Sequence, residues 1–153
     1  ELKSDFSGNR ALERAAALPG ANWQVFNALG SAYDDLGEYA KAQAAYQRAM
    51  SMSPNQIQVM NNMGMSQALS GNLRTAEATL RQALALPSSQ SYPKIRQNLA
   101  LVVGLQGRFD ESRTIASSDL PPDQVEANLA YLEKMMAQPN TWQQLAGSKS
   151  GGG

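Results

Sequence analysis

The stretch FNALGSAYDDLGEYAKAQAAYQRAMSMSP, from Phe26 to Pro54, decides the fold. Its Leu29-Gly30, Gly37, Ala42, Tyr46 and Ala49 return 34 residues later as Met63-Gly64, Gly71, Ala76, Leu80 and Ala83. A period of that length is one helix–turn–helix unit, which buries its apolar side only by stacking on further copies. Gly30, Ala42 and Ala49 are small enough to let two antiparallel helices approach closely. Phe26, Leu29, Tyr33, Tyr39 and Tyr46 fill the space between them and the next pair. Gly37 suits a turn at positive φ that ends the first helix, and Pro54 stops the second.

The second copy, Ile57 to about Gln90, is degenerate. Met60 stands where the first has Phe26, Gln67 where it has Tyr33, and Pro87 comes one residue early. An amide at an aromatic core position is expected to be hydrogen-bonded or tilted toward solvent. A third copy is offset. Asn98-Leu99-Ala100, Gly107, Phe109 and Ser112 repeat Asn62-Met63-Gly64, Gly71, Leu73 and Ala76 after 36 residues, and the two extra residues fall in Ser88-Ser89-Gln90-Ser91. Loops absorb such insertions at little cost. The second helix of this copy is short, ending near Ser117-Ser118-Asp119 before Pro121-Pro122.

A fourth opening helix is expected from about Pro122 to Ala137, with Asp123 favouring its N-terminus by capping or by charge. Ser7 to Leu18 reads as a lone helix closed by Pro19-Gly20. It is equivalent to the second helix of an incomplete repeat, because Leu12 and Ala15 stand 34 residues before Tyr46 and Ala49. Residues 147–153, GSKSGGG, have the composition of a flexible linker.

The order Phe26, Leu29-Gly30, Tyr33, Gly37, Tyr39, Ala42, Tyr46, Ala49, Pro54 resembles the tetratricopeptide repeat. The resemblance implies an all-α superhelix (a solenoid) of about three helix-pair repeats with N- and C-terminal capping helices, working as a protein-binding scaffold. The divisions are 1–20 for a partial repeat, 21–56, 57–90 and 91–120 for the three repeats, and 121–146 for the C-terminal cap.

Composition bounds the chemistry. The 153 residues suffice for one domain with a useful core, and 13 basic side chains balance 13 acidic ones. No basic surface for nucleic acid or anionic membrane is implied. With neither Cys nor His, disulfides, thiolate chemistry, histidine bases and the usual zinc sites are excluded, and neither cofactor nor metal is expected. No apolar run reaches the roughly 18 residues of a membrane span. The acidic pairs Asp34-Asp35 and Asp110-Glu111 sit near helix turns, where solvated or dipole-linked carboxylates are ordinary. No nucleophile–base pair or phosphate loop accompanies them, so an enzyme is not expected.

The C-terminal half is more particular. The run Ile95 to Leu101, then Leu105 to Ser112, is followed by Asp119-Leu120-Pro121-Pro122 and Val125 to Leu132, with its Asn128-Leu129-Ala130-Tyr131-Leu132 helix. This order resembles the tetratricopeptide lipoproteins of tight-adherence (Tad, or Flp) pilus systems over about residues 20–137. The resemblance implies a periplasmic, outer-membrane-anchored, pilotin-like protein that assists assembly or localisation of the pilus secretin. The lipid-bearing Cys of such proteins is absent, as expected of a chain that starts downstream of its anchor. Two other readings stand beside it: a cytoplasmic adaptor or co-chaperone, and a structural oligomer joined through the solenoid ends.

In this repeat class the first helices line a concave face where partner segments dock. Asn62, Asn98 and Asn128 each precede the Leu/Met-Gly/Ala pair and are expected in a row there, where an amide offers donor and acceptor to a peptide backbone or bonds between neighbouring helices. Gln24, Asn27, Asn61, Lys94 and Gln97 are flanking candidates. A carboxylate clamp of the kind some members carry is rejected, because Lys94 would be its one cation. Met65, Leu69, Leu101 and Leu105 are candidates for an apolar groove, the alternative being packing against neighbouring helices. Five of the seven Met fall between Met50 and Met65, and thioethers repack readily around a guest helix.

Overall fold

The computed structural model describes residues 2–138, in which every regular element is a helix. The elements are α1 (Leu2–Ala17), α2 (Trp23–Asp35), α3 (Tyr39–Met52), α4 (Ile57–Leu69), α5 (Leu73–Leu84), α6 (Lys94–Leu105), α7 (Phe109–Ala116) and α8 (Pro122–Ala137), with a 3-10 turn at Pro87–Ser91. Helices α2/α3, α4/α5 and α6/α7 make three hairpins on short turns, which place neighbours antiparallel. Each helix packs on the next in sequence, and the first helices α2, α4, α6 and α8 also touch in turn. Helix α1 occupies the second-helix place ahead of α2 and starts at Leu2, earlier than the expected Ser7. The expected tail 147–153 lies outside the described residues.

The three hairpin turns are built alike. Gly37, Gly71 and Gly107 have φ of 74°, 89° and 86°. Around the first of them the Gly37 N–H donates to Asp34 O at 2.9 Å and the Glu38 N–H to Tyr33 O at 2.9 Å. The same pair of bonds recurs at Gly71-Asn72 and Gly107-Arg108. This satisfies the last carbonyls of each first helix with a left-handed residue that glycine adopts without a Cβ clash.

Close approach within the hairpins depends on the other glycines. A Cβ on Gly30 would overlap the Tyr46 ring, and one on Gly64 would lie 2.8 Å from Leu80 Cγ. Tyr46 and Leu80 are 1% and 0% exposed, each among alanines of its own helix (Ala42 and Ala49, Ala76 and Ala83) that are wholly buried. Fully burying a side chain of that size contributes about 1.5–3 kcal/mol. The main core joins α4, α5 and α6 through Ile57, Leu73, Leu80, Ile95, Leu99 and Val103, and a smaller C-terminal core gathers Ala100, Ala116, Val125 and Leu129.

Polar groups inside the stack are paired. Tyr46 Oη donates to Asp34 Oδ2 at 2.7 Å and Ser66 Oγ to Asp34 Oδ1 at 2.6 Å, so one carboxylate joins α2, α3 and α4. Burial, then the bond to Asp34, pushes the Tyr46 phenol well above its usual pKa. Asp34 is therefore a structural hub and not the solvated or dipole-linked carboxylate expected from its place near a turn. Gln67, at 7% exposure, accepts from Thr79 Oγ1 at 2.6 Å, the hydrogen-bonded alternative of the two foreseen. Among the described residues no buried side-chain nitrogen or oxygen lacks a partner.

The 36-residue step is taken up in the 3-10 turn, where buried Ser89 donates to Leu84 O at 2.8 Å. Helix α7 is only eight residues long, as expected. At α8 the cap position is Pro121, Pro122 starts the helix, and no side chain caps it, so Asp123 acts through charge alone. Glu77 on α5 receives both Arg108 Nη1 at 2.7 Å and Arg81 Nε at 2.8 Å, while Glu111 on α7 receives Arg81 Nη2 at 2.7 Å. This cluster ties the second hairpin to the third.

Gly30→Ala is expected to destabilise the fold by about 1–3 kcal/mol through overpacking against Tyr46, whereas Gly20→Ala, with open space around it, should leave the urea midpoint in place. Equal midpoints for the two variants would show that the Tyr46 ring does not depend on the missing Cβ. A second expectation concerns acid. Hydrogen bonding to Arg108, opposed by burial and aided by Arg81 and Gln106, lowers the Glu77 pKa from 4.5 to about 2. Its folded-state value lies below its unfolded one, so its stabilisation is complete above pH 4.5 and is lost as pH falls toward 2. The loss should be about 1–3 kcal/mol, toward the low end because the arginine heads are partly solvated. Urea midpoints measured between these pH values should slope less in Arg108→Gln; an unchanged slope would remove Glu77 as the source.

Candidate peptide-binding face

The candidate residues all come from first helices, whose positions are set by the glycine turns behind them. Asn62 Nδ2 donates to Asn27 Oδ1 at 3.0 Å, joining α4 to α2. Asn98 Nδ2 donates to Asn61 Oδ1 at 2.6 Å, joining α6 to α4. Consecutive residues on a helix point about 100° apart, so Asn61 and Asn62 reach the following and the preceding helix respectively. Of Asn62, Asn98 and Asn128, the first two thus form rungs to the preceding first helix, the interhelical alternative expected of them. Of that set, Asn128 on α8 is exposed and makes no side-chain hydrogen bond among the described residues.

The rungs show which of the asparagine alternatives the chain uses for its own stability: amides bonding helix to helix. Asn61 is 5% exposed and Asn27, Asn62 and Asn98 are half-buried. Each of these amides has further hydrogen-bonding capacity beyond its rung.

The apolar candidates divide. Leu105 is buried in the main core at 7% exposure, so it is a packing residue and not a groove wall. Met65 is half-buried and packs against the same core. Leu69, at the end of α4, and Leu101, in the middle of α6, are 50% and 38% exposed. Lys94 is exposed at the start of α6, as is Gln24 at the start of α2.

Gln97, Leu101 and Asn128 are brought together. They line a groove of about 360 Å³ at the C-terminal end of the solenoid. Helix α6 contributes Gln97, Ala100 and Leu101, α7 contributes Ser112 and Ala116, and α8 contributes Gln124, Asn128, Tyr131, Leu132 and Met135. Leu120 closes it from the α7–α8 turn. That turn is held to α6 by a two-pronged pair, Arg96 Nε to Asp119 Oδ2 at 2.7 Å and Arg96 Nη2 to Asp119 Oδ1 at 2.8 Å. The hydrogen bonds from Arg96 hold the Asp119 carboxyl below its ordinary pKa despite burial acting the other way.

Helix α8 reaches α6 through a third close approach. A Cβ on Gly104 would overlap Leu132 Cδ2. Position 100, equivalent to Gly64, is instead alanine, and its carbonyl accepts from Ser112 Oγ at 2.6 Å. Tyr131, Gln124 and Met135 were not singled out from the sequence. The signal was present in their spacing: 124, 128, 131 and 135 recur at helical intervals along one side of α8. Tyr131 is 71% exposed, the most exposed large apolar side chain of the described residues. Among those residues no group of three or more Asp, Glu, His or Cys is arranged to hold a metal ion, and no helix is long and apolar enough to cross a membrane.

The rungs make a thermodynamic expectation. In an Asn61/Asn98 double-mutant cycle to alanine, Asn98→Ala should cost about 1–3 kcal/mol by leaving the buried Asn61 oxygen without its donor, and the pair should couple by about 0.5–1.5 kcal/mol. Additive losses in the urea midpoints would show that the two amides do not hold each other.

Comparison with known proteins agrees with this architecture. Tetratricopeptide-repeat family models match residues 24–56 and residues 58–82. A solved structure described as MamA MSR-1 C2 is similar at 20% identity and a TM-score of 0.63, over 97% of this chain and 92% of that one. No curated protein matches the chain. The chain therefore carries tetratricopeptide repeats from residue 24 to residue 82 and folds as an all-α tetratricopeptide-repeat superhelix, a protein-interaction scaffold.

Proposed function

We propose that the chain is a pilotin-like periplasmic factor, anchored to the outer membrane in the full-length protein, that holds a segment of the secretin of a Tad-type pilus. The observation that carries the binding part is the apolar surface left open on the first helices, with Leu69 and Leu101 at 50% and 38% exposure. Side chains that would normally be buried stand open there, and a partner segment would cover them. The assignment to the pilus rests on the resemblance of the stretch from Ile95 to Leu132, whose short second helix, Leu120-Pro121 turn and Asn128-to-Leu132 run are its distinctive parts. The secretin would engage the concave side of the solenoid, and the partner-binding set is Asn27, Asn62, Met65, Leu69, Lys94, Gln97, Asn98, Leu101 and Asn128, with Asn61 buried behind them as the acceptor for Asn98. No cofactor or nucleic acid enters this reading.

The test is co-purification of the secretin encoded by the same genome with the tagged full-length protein. It should be captured by the wild type and reduced at least about tenfold in the Leu69→Glu/Leu101→Glu double variant, whose helicity by circular dichroism should be unchanged because both side chains already face solvent. Capture that survives the double variant would remove the open apolar surface from the mechanism. Absence of the secretin from the wild-type eluate would remove the pilus assignment.

A further inference from the structure

We propose that the α6–α7–α8 groove, which shares Gln97, Leu101 and Asn128 with the open face of the first helices, is an anchoring site for an extended, uncharged segment of a partner protein, with Tyr131 as its outer wall. This rests on the binding-scaffold reading and adds the chemistry of the occupant. The groove's walls carry no ionisable group other than the Tyr131 phenol, although 26 of the 153 residues of the chain are charged. Two arginines on the helices that build it are already paired: Arg96 is locked to Asp119, and Arg113 Nε lies 2.6 Å from Glu126 Oε1. A charged guest would lose its hydration without finding a counter-charge, so the complementary occupant is neutral.

The polar groups of the groove narrow the choice further. The side-chain amides of Gln97, Gln124 and Asn128 line it, and none of the three makes a hydrogen bond among the described residues. An α-helical guest satisfies its own main chain internally and would leave those amides unused. An extended guest presents free N–H and C=O groups, which primary amides complement in both senses. Between the amides, Leu101 and Tyr131 offer apolar area at 38% and 71% exposure that a guest side chain would cover. Tyr131 meets solvent over most of its surface, so it can close over a guest without disturbing Leu132, which is 5% exposed and seated against Gly104.

The experiment is selection of randomised twelve-residue peptides, displayed on phage, against the full chain. Enriched sequences should lack charge and carry apolar residues at alternate positions. A synthetic consensus peptide should bind with an affinity that changes less than about twofold between low and high salt. Its affinity should fall at least about tenfold in Leu101→Glu and in Tyr131→Ala, and severalfold in Gln124→Ala/Asn128→Ala, all with unaltered thermal melts. Charged consensus sequences, salt-sensitive binding, binding indifferent to Leu101→Glu, or no enrichment would each overturn the proposal. Two other occupants would reveal themselves in the same series. A tighter peptide affinity in Trp142→Ala would mean that the chain's own C-terminal residues compete for the groove. A concentration-dependent dimer that Leu101→Glu dissolves would place a second copy there. Either outcome replaces the partner segment. Successful selection together with absence of the secretin from the wild-type eluate would sink the pilus assignment alone and leave the groove standing.

Discussion

Helices in this chain cross where one of them has no side chain. Gly30 beneath Tyr46 and Gly64 beneath Leu80 set the separation within the first two hairpins, and Gly104 beneath Leu132 sets the distance from α6 to α8. Because packed interiors approach crystal density, an added methyl at such a contact has nowhere to go. The large side chain on the partner helix is thereby buried among alanines, and the hairpin becomes a flat unit that the next one can stack on. The hairpin turns, the polar hub and the asparagine rungs all require that separation to be held.

The third crossing differs from the first two in a way that shapes the binding end. In the third hairpin the register position is Ala100, and its carbonyl is taken by the Ser112 hydroxyl. The glycine has moved one turn along α6, where it receives a residue of α8 instead of its own hairpin partner. Helix α7 is correspondingly short, and the chain returns over Leu120-Pro121 with Asp119 clamped by Arg96. The groove bounded by α6, α7 and α8 follows from these changes. Its neutrality comes from the residues that line it, while Arg96 and Arg113 are used in clamping the turn and fastening α7 to α8.

Much of this was legible in the residues. Gly37, Gly71 and Gly107 marked the turns, the 36-residue step located the extra turn before α6, and Pro121-Pro122 marked the end of the short α7. These are local signals, since a positive φ or a missing N–H constrains the backbone wherever it occurs. The candidate surface was legible only in part. Leu101 and Leu105 stand one helical turn apart on α6 and look equivalent in sequence, yet one is 38% exposed and the other lies in the core. Asn61 and Asn62 look like one polar pair, and they reach in different directions. Asp34 looked like an ordinary turn carboxylate because its partners, Tyr46 and Ser66, are 12 and 32 residues away.

The sequence by itself determined the hairpin turns, the end of the short α7 and the repeat step, because each is governed by steric and hydrogen-bonding constraints within a few residues of chain. The tertiary structure alone decided which side chains of the first helices remain open, and that Tyr131, Gln124 and Asn128 of α8 share a groove with Gln97 and Leu101 of α6. Exposure depends on what the neighbouring helix covers. That is fixed by the spacing and rotation between helices distant in sequence, which the Gly104–Leu132 contact and the Arg96–Asp119 clamp establish only once the chain has folded.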